Sequence, residues 1–529
     1  MEIEQNNLQE EVSSIKNNGL KFFDFFYRKK EPGFMKKPIN FYDESAEGSI
    51  GNGIHHEGVN FVTHSDLHHK HSAIQTIHTH QKVVVLLLII IFVVGSLINF
   101  GKTLVVLVAA LSILYFIDLL FNLFLIVKSF QKSEEVQIAK NDIKKLQDED
   151  LPVYTIFCPL YEEWQVIPQF TKAISELDWP KEKLDVQLLL EENDPKTIEE
   201  ANKMNLPSYF SIIVVPNGHP KTKPKACNYG LGHAKGEYAV IFDAEDVPDK
   251  DQLKKAYLTF QKLKNEKIIC AQAKLNFYNA RQNVLTRLFS AEYALWFDLV
   301  LTGLQSIKAP IPLGGTSNHF RTKDLKMLNG WDPFNVTEDC DLGIRIAKMG
   351  YHTAIFNSNT MEEATSRVGN WMRQRSRWIK GYMQTYLVHM RRPNEFMTDL
   401  KNPNIITFQL IVGGKVLSLF INPLMWVLTI AYFSFRSVMG PIIEPLFPGP
   451  ILYIAVFSLV FGNFLYVYYY MIGCAKRGQW DLVKYVFLVP FYWLLMSVAS
   501  WKALHQLIFK PHYWEKTVHG FHLNMKQNN

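Results

Sequence analysis

Apolar and polar positions are sorted along the chain into blocks of different period. Two long apolar runs, Val83–Phe100 and Leu104–Val127, are each long enough to cross the roughly 30 Å of a bilayer's hydrocarbon core. Only Gly101, Lys102 and Thr103 separate them, so they predict a tight helical hairpin. Three further apolar runs lie near the C-terminus: Val416–Phe435, Ile451–Gly473 and the shorter Tyr485–Trp501. Between these blocks, residues 150–365 alternate short apolar runs with helical patterns. "VYTIFCPL", "LDVQLLL", "FSIIVV" and "YAVIF" read as strands, and Trp164–Glu176, Pro195–Met204 and "CNYGLGHA" as the helices between them. That alternation predicts a mostly parallel sheet with helices on both faces, an α/β architecture that binds ligands at the carboxyl ends of its strands. Residues 366–402 change character again. Within Val368–Arg392, apolar Trp371, Met372, Trp378, Ile379, Met383 and Leu387 are interleaved with five arginines, which predicts an amphipathic helix lying on a membrane surface.

Composition sharpens this picture. At 529 residues the chain exceeds one ordinary domain. Its 48% hydrophobic and 20% charged residues are averages over strongly segregated blocks. A formal net charge of +6 is too mild for this length to indicate nucleic acid. Cys158, Cys227, Cys270, Cys340 and Cys474 are scattered without a CxxC pair, which argues for a reducing compartment and against a disulfide framework or a zinc site. Lys70 and Lys82 precede the apolar hairpin, and Lys128, Lys132, Lys140, Lys144 and Lys145 follow it. Both ends of the hairpin, and the soluble block after it, are therefore expected in the cytosol. Residues 1–80 are polar and poorly periodic. Eight of the 17 histidines fall between His55 and His80, at irregular spacing and without accompanying cysteines, so a solvated, partly disordered leader is expected rather than a metal site.

Three clusters carry candidate chemistry. The first, "YAVIFDAED", places Asp243, Glu245 and Asp246 just past a strand end, with Asp249 close behind. Carboxylates so placed suit a hard divalent cation, which takes one or two of them plus substrate phosphates; the alternative is a solvated acidic turn at the start of the helix near Asp251. The second, "VTEDCDLG", opens a helix with Glu338, Asp339 and Asp341, more acids than a capping motif needs, and a carboxylate there can act as general base toward a hydroxyl. The third, "QRSRWIKG", puts Gln374, Arg377 and Trp378 within about one helical turn. A guanidinium fork matches phosphate oxygens and an indole stacks on a sugar or base; anionic lipid headgroups are the other reading.

In combination, "DAED", "TED" and "QRSRW", in that order and flanked by apolar runs, resemble the processive family 2 glycosyltransferases, which include the cellulose, chitin and hyaluronan synthases. The resemblance covers about residues 150–520. It implies a GT-A nucleotide-diphospho-sugar transferase fold inserted between transmembrane α-helices, a divalent Mg2+ or Mn2+ cofactor, a nucleotide-sugar donor, a polysaccharide or lipid-linked acceptor, and an integral protein of the cell membrane with its catalytic domain in the cytosol. "CPLYEEW" implicates Glu163 near the base or ribose, "LLLEEND" Glu192 and Asp194, and "KPKACNYG" Lys225 at the diphosphate. Asp243 and either Glu245 or Asp246 would hold the metal, the family's usual Asp-x-Asp being altered here. Glu338 and Asp339 would form the catalytic pair, with Asp339 as base, and Gln374, Arg377 and Trp378 would meet acceptor and diphosphate. The tail after Trp501 is too short for the cyclic-dinucleotide-binding domain of bacterial cellulose synthases. On this reading the chain divides into a leader (1–80), a hairpin (81–128), the GT-A domain (150–365), interfacial helices (366–402), C-terminal membrane and interfacial helices (403–510), and a cytosolic tail (511–529) in which Trp514, Lys516 and Thr517 gate the donor.

Three crossings after a cytosolic domain would leave that tail outside. The short run containing Pro490 is therefore expected to be interfacial or re-entrant. Export of the product, with or without a partner subunit, follows from a cytosolic donor and a membrane-embedded catalyst. Competing readings are transfer of one sugar to a lipid phosphate, and an inactive scaffold or transporter. Asp118 is the one acid inside a clear span, and no GxxxxGK[ST] loop is present to drive an ATP-dependent pump.

Overall fold

A computed structural model describes residues 54–56, 59–61, 64–68, 71–131, 135–399 and 402–515. The apolar hairpin is one long helical element, α1 (Thr79–Gln131), broken at Asn99. The Asn99 side chain accepts from the Lys102 amide at 2.9 Å, and its carbonyl accepts from Thr103 Oγ1 at 3.0 Å. Thr103 Oγ1 also sits 3.0 Å from where a Cβ on Gly95 would lie. Eight residues along a straight helix span about 12 Å, so the two arms fold back on each other.

The α/β unit has eight strands, β1 (Tyr154–Leu160), β2 (Leu184–Glu191), β3 (Phe210–Val215), β4 (Tyr238–Ile241), β5 (Val247–Pro248), β6 (Ile268–Phe277), β7 (Asn318–Arg321) and β8 (His352–Glu362). They form one sheet in the order β3-β2-β1-β4-β7-β6-β8-β5. Pairing is parallel through β3-β2-β1-β4 and between β6 and β8. β7 runs antiparallel between β4 and β6, and β5 is an antiparallel edge. Six helices matter for the site: α2 (Ile167–Ser175), α3 (Pro195–Lys203), α4 (Lys223–His233), α5 (Gln252–Lys262), α6 (Val284–Leu295) and α7 (Glu338–Lys348). Both faces of the sheet are covered, which is why β1 and β2 are buried almost throughout. Ile156, Leu188 and Val240 pack with Phe170 and Phe260 on one face. On the other, Phe157, Leu189 and Ile241 share a core with Trp331 and with Leu125, Tyr470 and Tyr492 of the apolar helices. The GT-A-type α/β unit and the apolar helices thus form one packed body.

Among the described residues, four helical stretches are long and apolar enough to cross a membrane: Thr79–Gln131, Asn404–Ser434, Gly449–Lys476 and Trp480–Phe509. α8 (Val368–His389) precedes the last three, which contain α9 (Lys415–Ser434), α10 (Asn463–Lys476) and α11 (Val489–Phe509). α8 is not the peripheral surface helix that its pattern suggests. Its inner face buries Trp371, Arg375, Ile379 and Met383 against α11 and α7. The reason is charge pairing: Arg375 makes a two-pronged ion pair with Glu292 of α6, and Tyr492 of α11 donates to that carboxylate at 2.6 Å.

α11 is a continuous helix with Pro490 in its first turn, where a proline costs no hydrogen bond. It lies along α8. Val489, Tyr492, Ala499, Ala503 and Leu507 are buried, while Phe491, Leu494, Val498 and Trp501 form an exposed apolar stripe on another side. Both flanks return to the α/β side. Asp481 pairs with Arg281 before it, and after it the carbonyls of Pro511 and Tyr513 accept from Gln384 (3.0 Å) and Lys380 (2.6 Å) of α8.

The leader also departs from expectation. Residues 1–53 lie outside the described residues, but Ser72, Ala73 and Thr76 are buried against the α/β unit. Asp332 draws them in: it accepts from Ser72 Oγ at 2.8 Å and from the Ala73 amide at 2.6 Å.

Candidate active site

The carboxyl ends of β1, β2, β4 and β8 open on one side of the sheet, because these strands run in the same direction. The loops that leave them carry Glu163, Glu191, the Asp243–Glu245 turn and Glu362–Glu363 into a single cavity of about 670 Å³. The start of α7 brings Glu338 and Asp339 to its wall, α8 brings Gln374, Arg377 and Trp378, and the C-terminal tail brings Trp514. The cavity continues between the apolar helices as far as Asn122, Lys415 and Tyr466.

The acidic turn is held from below. Asp246 is 1% exposed and accepts from the Asp243 amide (2.7 Å) and from Thr316 Oγ1 (2.5 Å). Its Oδ2 thus braces the turn from beneath and its Oδ1 is buried without a hydrogen-bond partner, while Asp243 and Glu245 line the cavity. Asp249 is tied to β8 through Ser358 and Asn359, so the turn is not a free solvated cap. Asp194 accepts from the amides of Glu162 (2.5 Å) and Thr197 (3.2 Å), pinning the loop that carries Glu163 to the start of α3.

Two other expected residues are displaced. Glu192 is exposed and accepts from the Asn217 amide at 2.8 Å, whereas its neighbour Glu191 lines the cavity. Lys225 is fully buried in an ion pair with Glu191 at 2.7 Å and does not reach the cavity. Lys223 does: it pairs with Asp243 and donates to the Gly315 carbonyl at 2.7 Å. On a helix, residues two apart point about 200° away from each other, so only one of the two lysines in "KPKAC" can face the site. Lys516 and Thr517, expected to gate the donor, lie outside the described residues, but Trp514 stacks on the Arg377 guanidinium at 4.7 Å.

The electrostatics follow from crowding acids in a partly dry chamber. Burial raises Asp339 to about 6, against the pull of the Cys340 amide and Lys223, and raises Glu338 to about 8 with Asp339 adding to it. Glu362, which sequence reasoning missed, is held well above the carboxylate range by burial and by Asp246, Asp243 and Glu245. Its signal was only a pair of acids, Glu362 and Glu363, at the end of a strand. Burial works against the charge on Lys223, but Asp243 and Glu338 outweigh it and hold its ammonium above the usual lysine range. Arg377 moves down through burial, opposed by Glu338, Asp243 and Asp339.

Among the described residues no three His, Cys, Asp or Glu side chains form a complete metal cage. Asp243 and Glu245 nevertheless bring two carboxylates to one wall of the cavity. This donor set fits Mg2+ or Mn2+ with phosphate oxygens completing the shell. Trp378 supplies an aromatic face at the wall, stacked 6.4 Å from Tyr293, and Arg375 bridges Trp371, Phe289 and Trp378.

Residues 238–474 match the family model described as "Glycosyl transferase family group 2". The chain is 27% identical over 273 residues to "Probable glycosyltransferase YdaM" of Bacillus subtilis (strain 168), covering 51% of this chain and 64% of that one. It is 26% identical over 265 residues to "Glucomannan 4-beta-mannosyltransferase 7" of Arabidopsis thaliana, covering 47% of each. The chain thus spans about half to two thirds of the length of these curated relatives. A solved mannosyltransferase from Pyrobaculum calidifontis, described in complex with GDP-Man and Mn2+, aligns at 17% identity and a TM-score of 0.44, over 74% of this chain and 99% of that one.

Proposed function

We propose that this chain transfers a hexosyl or N-acetylhexosaminyl unit from a nucleotide-diphosphate sugar, UDP-linked in the first instance, to a hydroxyl of a growing polysaccharide, with inversion. One observation carries the reading. A single cavity joins an acidic turn at a strand end, a partly exposed carboxylate on a helix start, an arginine beside a tryptophan, and a continuation between apolar helices.

In the chemistry proposed, Asp339 takes the proton of the acceptor hydroxyl. Its oxygen bonds to the anomeric carbon as the bond from that carbon to the diphosphate oxygen breaks, and the nucleoside diphosphate leaves with the electron pair. A carboxylate held near 6 is ionised at neutral pH yet basic enough to accept a proton in the transition state. Lys223 and Arg377 place positive charge where the leaving diphosphate gains negative charge. Asp243 and Glu245 would hold the Mg2+ or Mn2+, whose contribution when bound is to neutralise the diphosphate. Trp378 and Tyr293 offer aromatic faces to the acceptor ring, and Trp514 on Arg377 closes the donor side.

The proposal extends to location. α1 supplies two crossings, and the stretches ending in α9 and α10 two more, while α11 lies along the membrane boundary with its exposed stripe toward lipid. The α/β unit then faces the cytosol and the product moves through the cavity across the bilayer, alone or with a partner subunit. Lys415, a cation at the membrane end of the cavity, favours a second reading in which the acceptor is a lipid phosphate. Product length on a gel separates the two.

The test is nucleotide release by the protein in lipid nanodiscs with Mg2+ or Mn2+, across UDP- and GDP-sugars, GDP-mannose included because of the glucomannan mannosyltransferase relatives. Release with one donor, abolished in Asp339→Asn, supports the transferase. Silence with every donor in a folded protein sinks it in favour of a scaffold or transporter. Labelled product that stays on the donor side of sealed vesicles would refute export.

A further inference from the structure

Residues 71–76 stand more than 250 positions from the catalytic helix, yet they are built into the loop that presents it. That loop, Trp331–Thr337, lies outside the sheet and helices and is held by side chains from elsewhere. Asn228 Oδ1 accepts from the Trp331 amide (2.9 Å), Gln384 Oε1 accepts from the Val336 amide (3.0 Å), and Asn335 donates to Thr385 (2.9 Å). Its one fully buried carboxylate, Asp332, is satisfied by Ser72 Oγ (2.8 Å), the Ala73 amide (2.6 Å) and, within the loop, the Phe334 amide (3.1 Å). Two of those three donors belong to the N-terminal segment. Thr76 Oγ1 caps the Ala73 carbonyl at 3.1 Å, Arg391 reaches the Gln75 carbonyl, and Gln81 donates to the Leu387 carbonyl at 2.8 Å, so the segment is fastened along its length. From the opposite end of the chain, His512 packs on the Phe334 ring at 5.5 Å and lies against the Ile74 backbone.

We propose that Ser72 and Ala73 are positioning residues of the active site: an N-terminal strap that, by satisfying Asp332, fixes the Trp331–Thr337 loop and so the place of Asp339 in the cavity. This rests on Asp339 being the base. The physical link is the cost of a buried carboxylate without its donors. If the strap leaves, Asp332 keeps the Phe334 amide as its one remaining hydrogen-bond donor, with the Arg391 charge nearby, and we expect it to shift to recover the two lost bonds, taking the loop with it. Asp339 begins seven residues later, and a displacement of about 1 Å at a reacting group is enough to cost about 100-fold in rate. The strap touches neither Asp243 nor Glu163, so donor binding is left intact.

The experiment uses the full chain in nanodiscs and three variants, Ala73→Asp, Ser72→Ala and Ser72→Thr. Ala73→Asp sets a second carboxylate against Asp332 and drives the strap off without altering the α/β unit. The expected result is a fall in kcat of at least about tenfold with donor KM within about twofold, the signature of a lost transition-state interaction. Backbone hydrogen exchange should rise in 331–337 while β1, β2 and β4 stay protected. Ser72→Ala should move the same way by less, and Ser72→Thr, which keeps the hydroxyl, should restore kcat. The proposal is overturned if exchange in the loop rises and kcat does not fall, if neither changes, or if the loss appears in KM alone. Should Ala73→Asp loosen the whole sheet, the Ser72→Ala and Ser72→Thr pair decides. A wild-type protein silent with every donor defeats the transferase reading itself, and the exchange data still show whether the strap orders the loop.

Discussion

Gly381 offers the most exposed test of how α8 and α7 cooperate. It sits on α8 one turn past Arg377 and Trp378, and α7 begins directly after Thr337. A Cβ added at Gly381 would lie 2.7 Å from Thr337 Cβ and closer still to that residue's Oγ1 and Cγ2. Carbon atoms prefer about 3.5–4.0 Å, so the two elements would have to separate by about 1 Å. Thr337 cannot swing aside, since it is β-branched, 6% exposed, and followed at once by Glu338. Gly381→Ala should therefore push the Arg377–Trp378 turn away from Asp339 and lower kcat by about 10- to 100-fold. Helix propensity acts in the opposite direction, since Ala is favoured over Gly by about 1 kcal/mol within a helix. The same helix holds the control: a Cβ on Gly369 meets nothing within 4 Å. Gly369→Ala should keep full activity and gain stability up to that propensity difference. Nucleotide release with the active donor, alongside thermal unfolding of both variants, is the assay. Equal kcat in Gly381→Ala and Gly369→Ala would refute the close packing of α8 on α7 as a requirement for turnover.

The remaining predictions concern charge. Lys223→Ala should abolish most nucleotide release with little change in unfolding temperature, whereas Lys225→Ala should chiefly destabilise, by about 3–5 kcal/mol, because it leaves the nearly buried Glu191 carboxylate at the cavity wall without its partner. The reverse pattern in rates and unfolding midpoints would return the diphosphate to Lys225. Burial raises Asp339 to about 6, and the base is the deprotonated form, so turnover should climb as pH rises through about 6. A rate that is flat from about pH 5 to about pH 8 would remove Asp339 from the role of base. Chelation of divalent ions should silence nucleotide release and Mg2+ or Mn2+ should restore it, with Asp243→Asn raising the metal concentration needed; unchanged release in excess chelator would exclude the cation.

Strand ends and acid clusters were legible because they are local. A buried strand must be apolar on both sides, and the polar residues that follow it must lie at the rim, so the place of Asp243 and Glu245 at the cavity could be read from a strand end, and that of Asp339 from the excess of acids at a helix start. Lys223 and Lys225 could not be told apart, since which of them faces the cavity depends on the rotation of α4 against the sheet. Glu191 and Glu192 pose the same question at a strand end, where consecutive side chains point to opposite sides. The interleaved arginines of α8 suggested a membrane surface because a pattern records amphipathicity and not what covers the polar face; here Glu292, in an earlier helix, does so. α11 has two apolar stripes, and composition does not say which one meets protein. The strap was least legible of all: its partner Asp332 lies 260 residues from Ser72, and neither segment has a periodic pattern of its own.

The paired, out-and-back course of the apolar helices has a consequence for whatever emerges on the other side. Among the described residues, the face of the apolar layer opposite the sheet is little more than two short connectors: the Asn99–Thr103 turn and the stretch from Phe435 to Pro448, fastened by a hydrogen bond from Tyr432 to Glu444 at 2.9 Å. The second connector contains the short helix Arg436–Ile443. On the export route proposed above, these two connectors are the described residues that a sugar chain would meet first on leaving the apolar layer, so substitutions in them should alter release of the chain and leave nucleotide release unchanged.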